Sequence, residues 1–280
     1  MESRKVCVGV PLYNEELHVR ETIRSLKEQT LDDAVFVLSD NCSNDATYSI
    51  CEEEIASDSR FLLIRQPENI GAVANYKFLL DFTASKYFMW LGGHDCISQD
   101  LLTEAVAILD SDSDVSMVSG TPRGIFPDGR RDVITPEAIY DFNEDLALYR
   151  YLKSIAILVN CTCYQSLFRK HLLNEFDFRK TISQDHIIIS RLLWFGKLKY
   201  LQNSFYERRY FEERSTTASE RISGNPESLF RYSFYQYYLD DFDLLYQGDE
   251  RIRRVLHGKI MNILESRFGI NGLMPRDGTI

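Results

Sequence analysis

Tyr87-Phe88-Met89-Trp90-Leu91-Gly92-Gly93-His94-Asp95 is the stretch on which the fold turns. An unbroken aromatic and apolar run is cut by two glycines and followed by a carboxylate. Continuous apolar runs are typical of strands covered on both faces, as in parallel sheets. The run therefore reads as a buried strand that stops abruptly and delivers Asp95 at its C-terminal tip. Open α/β sheets bind ligands beyond the carboxyl ends of their strands. A carboxylate there can hold a hard cation, and the cation can neutralise a diphosphate. Taken alone, the segment reads equally as a turn whose Asp caps a helix starting after Cys96-Ile97-Ser98.

The preceding residues favour the first reading. Residues 4–10 form a short β-rich run ended by Pro11, and Val19, Ile23 and Leu26 then share one helical face. Residues 34–39 predict a second strand, which stops at the polar cluster Asp40-Asn41-Cys42-Ser43-Asn44-Asp45. Residues 61–65 predict a third strand, and Asn69-Ile70-Gly71-Ala72 opens a helix running to about Phe82. After Asp95 come a helix over 99–110 and a strand at 115–119. Strand and helix thus alternate four times, the pattern of a mainly parallel sheet with helices on both faces. Right-handed crossovers put the strand C-termini on one edge. Tyr13, Asp40 and Asp95 can therefore converge although they are distant in sequence. No Gly-x-Gly-x-x-Gly or Gly-x-x-x-x-Gly-Lys follows any strand, which removes support from dinucleotide and P-loop readings.

Composition bounds the rest. The 280 residues, 44% hydrophobic and 26% charged, suit one large domain or a domain with an appendage. A net charge of −10 argues against a nucleic-acid partner and gives no general attraction to anionic lipid, leaving local membrane docking open. No apolar run approaches a membrane span, and the N-terminus leads straight into a strand without a signal-peptide core. The six cysteines are scattered, and Cys161-x-Cys163, the only close pair, has no zinc or disulfide-framework spacing. The expected compartment is a reducing cytoplasm.

Residues 120–150 read as a loop or short hairpin around Pro122, Gly124, Pro127, Asp128-Gly129 and Pro136. Ser183 is placed to cap a helix, putting Gln184 and Asp185 in its first turn, where the helix dipole favours a carboxylate. Gly196 to Leu201 ends that helix and begins a strand. Beyond Gly224-Asn225-Pro226 the composition shifts: Phe230, Phe234, Tyr237 and Tyr238 share a helical face, and a second helix is expected over about 249–267. The aromatic face reads as core, with a protein or membrane interface as the alternative.

Four landmarks resemble family 2 nucleotide-sugar glycosyltransferases of the GT-A fold. They are Pro11-Leu12-Tyr13-Asn14-Glu15, the run from Asp40 to Thr47, Asn69-Ile70-Gly71 with Asn75, and Trp90-Leu91-Gly92-Gly93-His94-Asp95. Gln184-Asp185, followed by Arg191-Leu192-Leu193, is similar to the family's acceptor-side Glu-Asp motif. The resemblance covers residues 4–200. It implies a donor-binding half over 1–120 and an acceptor-binding half over 121–224; the helical appendage over 225–280 is read from the composition shift and has no counterpart in the resemblance. It also implies a Rossmann-like GT-A domain, cytoplasmic or peripheral at the inner face of a membrane. The activity it implies is transfer of one sugar, with inversion, from a UDP, dTDP or CDP sugar to a glycan or lipid-linked oligosaccharide in surface polysaccharide synthesis.

In that reading Asp95 binds Mn²⁺ or Mg²⁺ and Tyr13 stacks on the nucleobase. Asp40 and Asn41 contact base and ribose. Pro11, Glu15, Asn69, Gly71, Asn75 and His94 complete the donor site. Arg209 or Arg214, with Ser215 nearby, closes over the diphosphate, and Asp185 is the general base. Three positions depart from the family: His94 and Cys96 stand where acids are frequent, and Asn41 replaces the second Asp of its motif. The thinned acidic cluster motivates a rival, a non-catalytic nucleotide-sugar binder. A nucleotidyltransferase shares the strand-tip metal logic but usually carries a Gly-rich phosphate loop, absent after residues 4–10. An oligomer through 225–280 is a further expectation.

Overall fold

A computed structural model describes residues 4–133, 140–159, 161–181, 183–211 and 227–268, with the side chains of 133 and 227–233 outside that description. The chain opens with β1 (Val6–Leu12), α1 (Val19–Lys27), β2 (Ala34–Asp40), α2 (Thr47–Ile55), β3 (Phe61–Arg65), α3 (Ala72–Asp81) and β4 (Tyr87–Trp90). It continues through β5 (Cys96–Ile97), α4 (Leu101–Ser111), β6 (Val115–Ile125), β7 (Arg131–Val133), α5 (Ala147–Ile157) and β8 (Leu167–Arg169). Last come α6 (Gln184–Phe195), β9 (Lys197–Arg209) and two long helices, α7 (Glu227–Leu245) and α8 (Glu250–Phe268).

The strands form one sheet in the order β3-β2-β1-β4-β8-β6-β9-β5, with β7 paired to β6. β1 runs parallel to both β2 and β4, so the connections leave it in opposite directions. The crevice at such a switch point is where open α/β sheets bind ligands. Side-chain parity builds a core on each face. Val6, Val8 and Val10 join Tyr87, Met89 and the apolar face of α1 on one side. Cys7, Phe88 and Trp90 join α3, α5 and α6 on the other. A Cβ on Gly9 would lie 2.8 Å from the Phe88 ring and 3.0 Å from Leu79 Cβ, so only glycine lets that ring and helix close over the strand.

α6 is buried nearly all round, from Ile187 to Leu193, the signature of a helix inside a core. Each fully buried Ile or Leu contributes roughly 1.5–3 kcal/mol, so α6 is a rigid mount for whatever its first turn carries. Phe234, Tyr235, Tyr237, Tyr238 and Phe242 of α7, with Leu256, Ile260 and Leu264 of α8, are buried in the same core cluster as α6. Phe230 lies outside the described side chains. Among the described residues no helix is long and apolar enough to cross a membrane.

Three local expectations are corrected. β1 continues through Pro11, which sits opposite Ser39 in the parallel register, to Leu12. Cys96–Ile97, expected only as the lead-in to a helix, is a strand, because β9 returns to pair with it, Cys96 opposite Glu207 and Ile97 opposite Tyr206. β6 extends to Ile125 and turns through Gly129, at φ 83°, into β7. The hairpin expected from Asp128-Gly129 is present, while the loop reading of 120–125 is replaced by strand.

Candidate functional site

The loops after β1 and β2 hold one another. Asn14, left-handed at φ 56°, donates its amide to Ser43 Oγ at 2.9 Å and accepts from the Asn44 amide at 3.1 Å. The Glu15 amide donates to Thr47 Oγ1 at 2.7 Å. This clasp leaves the Tyr13 ring 46% exposed at the loop tip. Asp40 is fully buried; it accepts from the Ser43 amide and lies 3.4 Å from Arg65 Nε.

Asn41 Nδ2 donates to Asn69 Oδ1 at 2.8 Å and its Oδ1 accepts from the Ile70 amide at 3.0 Å. Gly71, at φ 83°, donates its amide to Asn69 Oδ1. Asn41, Asn69 and Gly71 thus form one hydrogen-bonded unit at the strand ends. Asn75 sits deeper: its amide exchanges bonds with Ser39 Oγ (2.6 Å) and Ser39 O (3.1 Å), bracing α3 on β2. Pro11 is likewise part of the sheet rather than of the loop.

The turn after β4 is tight, with the Asp95 amide donating to Gly92 O at 3.0 Å. A Cβ on Gly92 would stand 2.7 Å from Asp95 Oδ2, and one on Gly93 2.4 Å from Leu12 Cδ2. Asp95 is 3% exposed. Its Oδ2 accepts from the Tyr206 hydroxyl at 2.6 Å and its Oδ1 from the Arg209 amide at 2.9 Å. Burial, with the Asp95 charge beside it, pushes the Tyr206 phenol well up. A carboxylate offers about four lone-pair positions, so both oxygens keep one for a cation. His94 Nδ1 lies 2.9 Å from Glu15 Oε1, tying the first loop to this turn.

Arg209 is held at several points: Nε donates to His94 O at 3.1 Å and Nη2 pairs with Glu21. Arg214 and Ser215 lie outside the described residues.

Asp185 occupies the first turn of α6 and accepts from the next amide, His186 N, at 3.1 Å. Ser183 precedes the helix as expected, but it is left-handed at φ 53° and makes no side-chain cap. Asp185, Asp95 and Glu15 all lie within electrostatic reach of one side chain, the Tyr76 phenol. Burial raises the Tyr76 phenol above its ordinary range, and the charges of Asp95, Asp185 and Glu15 raise it further. Tyr76 lies beside Tyr164, which stacks on Trp90 with centroids 5.1 Å apart. Arg208 lies within electrostatic reach of Asp95. Burial opposes its charge, but Tyr206, Tyr210, Asp95 and Cys161 outweigh that and keep it protonated above its ordinary value.

Tyr76, Tyr164 and Arg208 were not singled out from sequence. Strand alternation from Tyr206 to Arg208 is the signal that would have favoured Arg208 over Arg209. Cys161 was considered in the sequence only with Cys163, and weighed against as a metal or redox site. Its thiol, Asp185 and a ring nitrogen of His186 offer ligand atoms all within 4.8 Å of one another, a group able to hold a metal ion.

The sequence profile described as Glycosyl transferase family 2 matches residues 7–176. The chain belongs to this family. Its fold agrees: the TarS crystal structure from S. aureus, in complex with UDP-GlcNAc, superposes with a TM-score of 0.69 at 19% identity, covering 94% of this chain and 73% of that one. The family 2 chain is 27% identical to glycosyltransferase GlyA of Streptococcus pneumoniae serotype 4, over 73% of its own length. It is 22% identical to the minor teichoic acid biosynthesis protein GgaB of Bacillus subtilis, over 95% of its length. It spans only 30% of GlyA and 29% of GgaB.

Proposed function

We propose that this family 2 chain transfers one sugar, with inversion, from a nucleoside-diphosphate sugar to a glycan or lipid-linked acceptor in surface polysaccharide synthesis. The observation that supports the reading is that Asp95, just past β4, and Asp185, in the first turn of α6, are remote in sequence yet both lie within electrostatic reach of the Tyr76 phenol. Two carboxylates brought to one region by different elements suit a displacement in which one side stabilises the leaving diphosphate and the other deprotonates the acceptor.

Tyr13, exposed on its clasped loop, offers a face for the nucleobase, and the Asn41–Asn69–Gly71 unit shapes the ribose end. Asp95 suits Mg²⁺ or Mn²⁺ held by one carboxylate together with the donor's own phosphates and water. Such a cation neutralises charge on the departing diphosphate. Arg208, charged and close to Asp95, is placed to add to that neutralisation, whereas Arg209 fastens the Asp95 turn. Asp185, mounted on the rigid α6, takes the acceptor's hydroxyl proton. The UDP-GlcNAc held by TarS makes UDP the first nucleotide to test, and GgaB's part in teichoic acid synthesis supports a cell-surface product.

The test is Asp185→Asn. Transfer should fall by about 10²- to 10⁴-fold, the usual worth of a general base, while UDP binding by calorimetry stays at the wild-type level. Near wild-type transfer would remove Asp185 as base. Loss of nothing but metal-dependent UDP binding in Asp95→Ala, in a protein without transferase activity, would favour the binder.

A further inference from the structure

Cys161 begins the short 3₁₀ helix Cys161–Gln165, which packs against α6. It meets Asp185 and His186 there with all three ligand atoms within 4.8 Å. Among the described residues no other group of three His, Cys, Asp or Glu side chains comes so close. A second observation is independent of that proximity. His186 is only 7% exposed, and its Nδ1 is buried with no hydrogen-bond partner. A buried polar atom without a partner is destabilising, so an imidazole left in this state calls for an occupant that the protein atoms do not supply.

The donor set defines that occupant. Thiolate, imidazole and one carboxylate form a borderline-soft set that selects zinc-like ions, whereas Mg²⁺ and Mn²⁺ prefer all-oxygen surroundings. Zinc bonds of about 2.0–2.3 Å place tetrahedral ligands roughly 3.3–3.8 Å apart. The trio therefore needs to contract by about 1 Å, within reach of side-chain rotation. Three protein ligands leave a fourth tetrahedral position for water or another ligand.

We propose that Cys161, Asp185 and His186 form a second cation site, separate from Asp95, for a thiophilic divalent ion that shuts off transfer by taking the Asp185 carboxylate. Binding releases the Cys161 thiol proton to solvent and involves no change of oxidation state. The effect on transfer rests on the reading of Asp185 as base, but the site itself does not. The ion removes the acceptor-side base and leaves the donor side alone, so inhibition by Zn²⁺ persists at saturating UDP-sugar and excess Mg²⁺.

The experiment is a titration of the chelator-stripped chain with Co²⁺, a spectroscopic stand-in for Zn²⁺, followed by Zn²⁺ displacement. One equivalent should produce a thiolate-to-cobalt charge-transfer band. Cys161→Ser and Cys161→Ala should abolish the band, and His186→Gln should weaken binding at least about tenfold. Asp95→Ala, and Cys42→Ser as a control at a partly exposed cysteine, should keep it. No band in the wild type, or a band surviving in both Cys161 variants, overturns the site. A Cys161-dependent band together with full transfer by Asp185→Asn keeps the site and overturns the base. An inactive Asp185→Asn with no wild-type band does the reverse.

Discussion

Replacing Arg191 with methionine leaves Asp241 stranded inside the protein. Arg191 Nη1 of α6 donates to Asp241 Oδ1 of α7 at 2.7 Å, and the two side chains are 4% and 2% exposed. The Tyr151 hydroxyl of α5 adds a long bond to Oδ2 at 3.4 Å. Removing one partner of a buried ion pair costs about 3–5 kcal/mol, a large share of the ~5–15 kcal/mol that holds a typical domain. With a urea slope near 3 kcal/mol/M, the unfolding midpoint falls by about 1–1.7 M.

The pH dependence fixes the sign. Burial raises the Asp241 carboxyl to about 6 despite Arg191, so the native state holds its proton more tightly than the unfolded chain. Its contribution to stability therefore falls as pH rises from about 4 through about 6 and is level above that. Without Arg191 the carboxyl rises further and the decline reaches higher pH, so Arg191→Met is more damaging at about pH 8 than at about pH 5. Arg191→Met with Asp241→Leu should recover to within about 1 kcal/mol of wild type, since a well-packed apolar pair replaces a buried ion pair at little cost. A single-mutant loss below about 1 kcal/mol at both pH values would show that the pair is not desolvated. A double mutant as unstable as the single would show that the charges are not its reason for being.

Tyr13→Ala should weaken UDP binding by about 1–3 kcal/mol, the worth of one base stacked on an aromatic ring; calorimetry showing unchanged affinity would remove Tyr13 from the nucleobase. Gly92→Ala should cost about 1–3 kcal/mol of stability and, by pushing on the Asp95 carboxylate, lower Mn²⁺-dependent UDP binding more than metal-free binding; an unaltered Mn²⁺ dependence would show that Asp95 is not displaced. Tyr206→Phe should destabilise by about 1–3 kcal/mol through the unpaired Asp95 oxygen. Mn²⁺ with UDP should restore more stability to this variant than to wild type in thermal melts, and equal restoration would argue against the cation using that oxygen.

The alternation of the first four strands and three helices was legible because each is a local pattern: both faces of β4 are covered, and Val19, Ile23 and Leu26 recur at helical spacing. Cys96–Ile97 was misread because its strand character comes from β9, not from its own residues. Ser183 was right as a position and wrong as a side-chain cap, since its left-handed backbone turns the hydroxyl away from that duty. At the site, the strand-tip residues and Asp185 were nameable from motifs. The clasp of Arg209 by Glu21 and His94, the nearness of Arg208 to Asp95 and the meeting of Cys161 with His186 depend on how distant segments fold back, and no local pattern encodes them. Asn75 resembles a donor contact in sequence, yet its amide is spent on Ser39.

The pairing of Cys96–Ile97 with Tyr206–Glu207 carries a lesson for chimaeras. A recombinant that exchanges residues 1–120 between relatives would transplant Asp95 but leave behind the phenol and the main-chain amide that hold its two oxygens. The crossover that keeps the carboxylate aligned takes the end of β9 along with the first half. By the same geometry the two C-terminal helices travel with α6, because Asp241 is the counter-charge of the helix that presents Asp185. Units of exchange in this protein are thus defined by its cross-chain fastenings and not by contiguous halves.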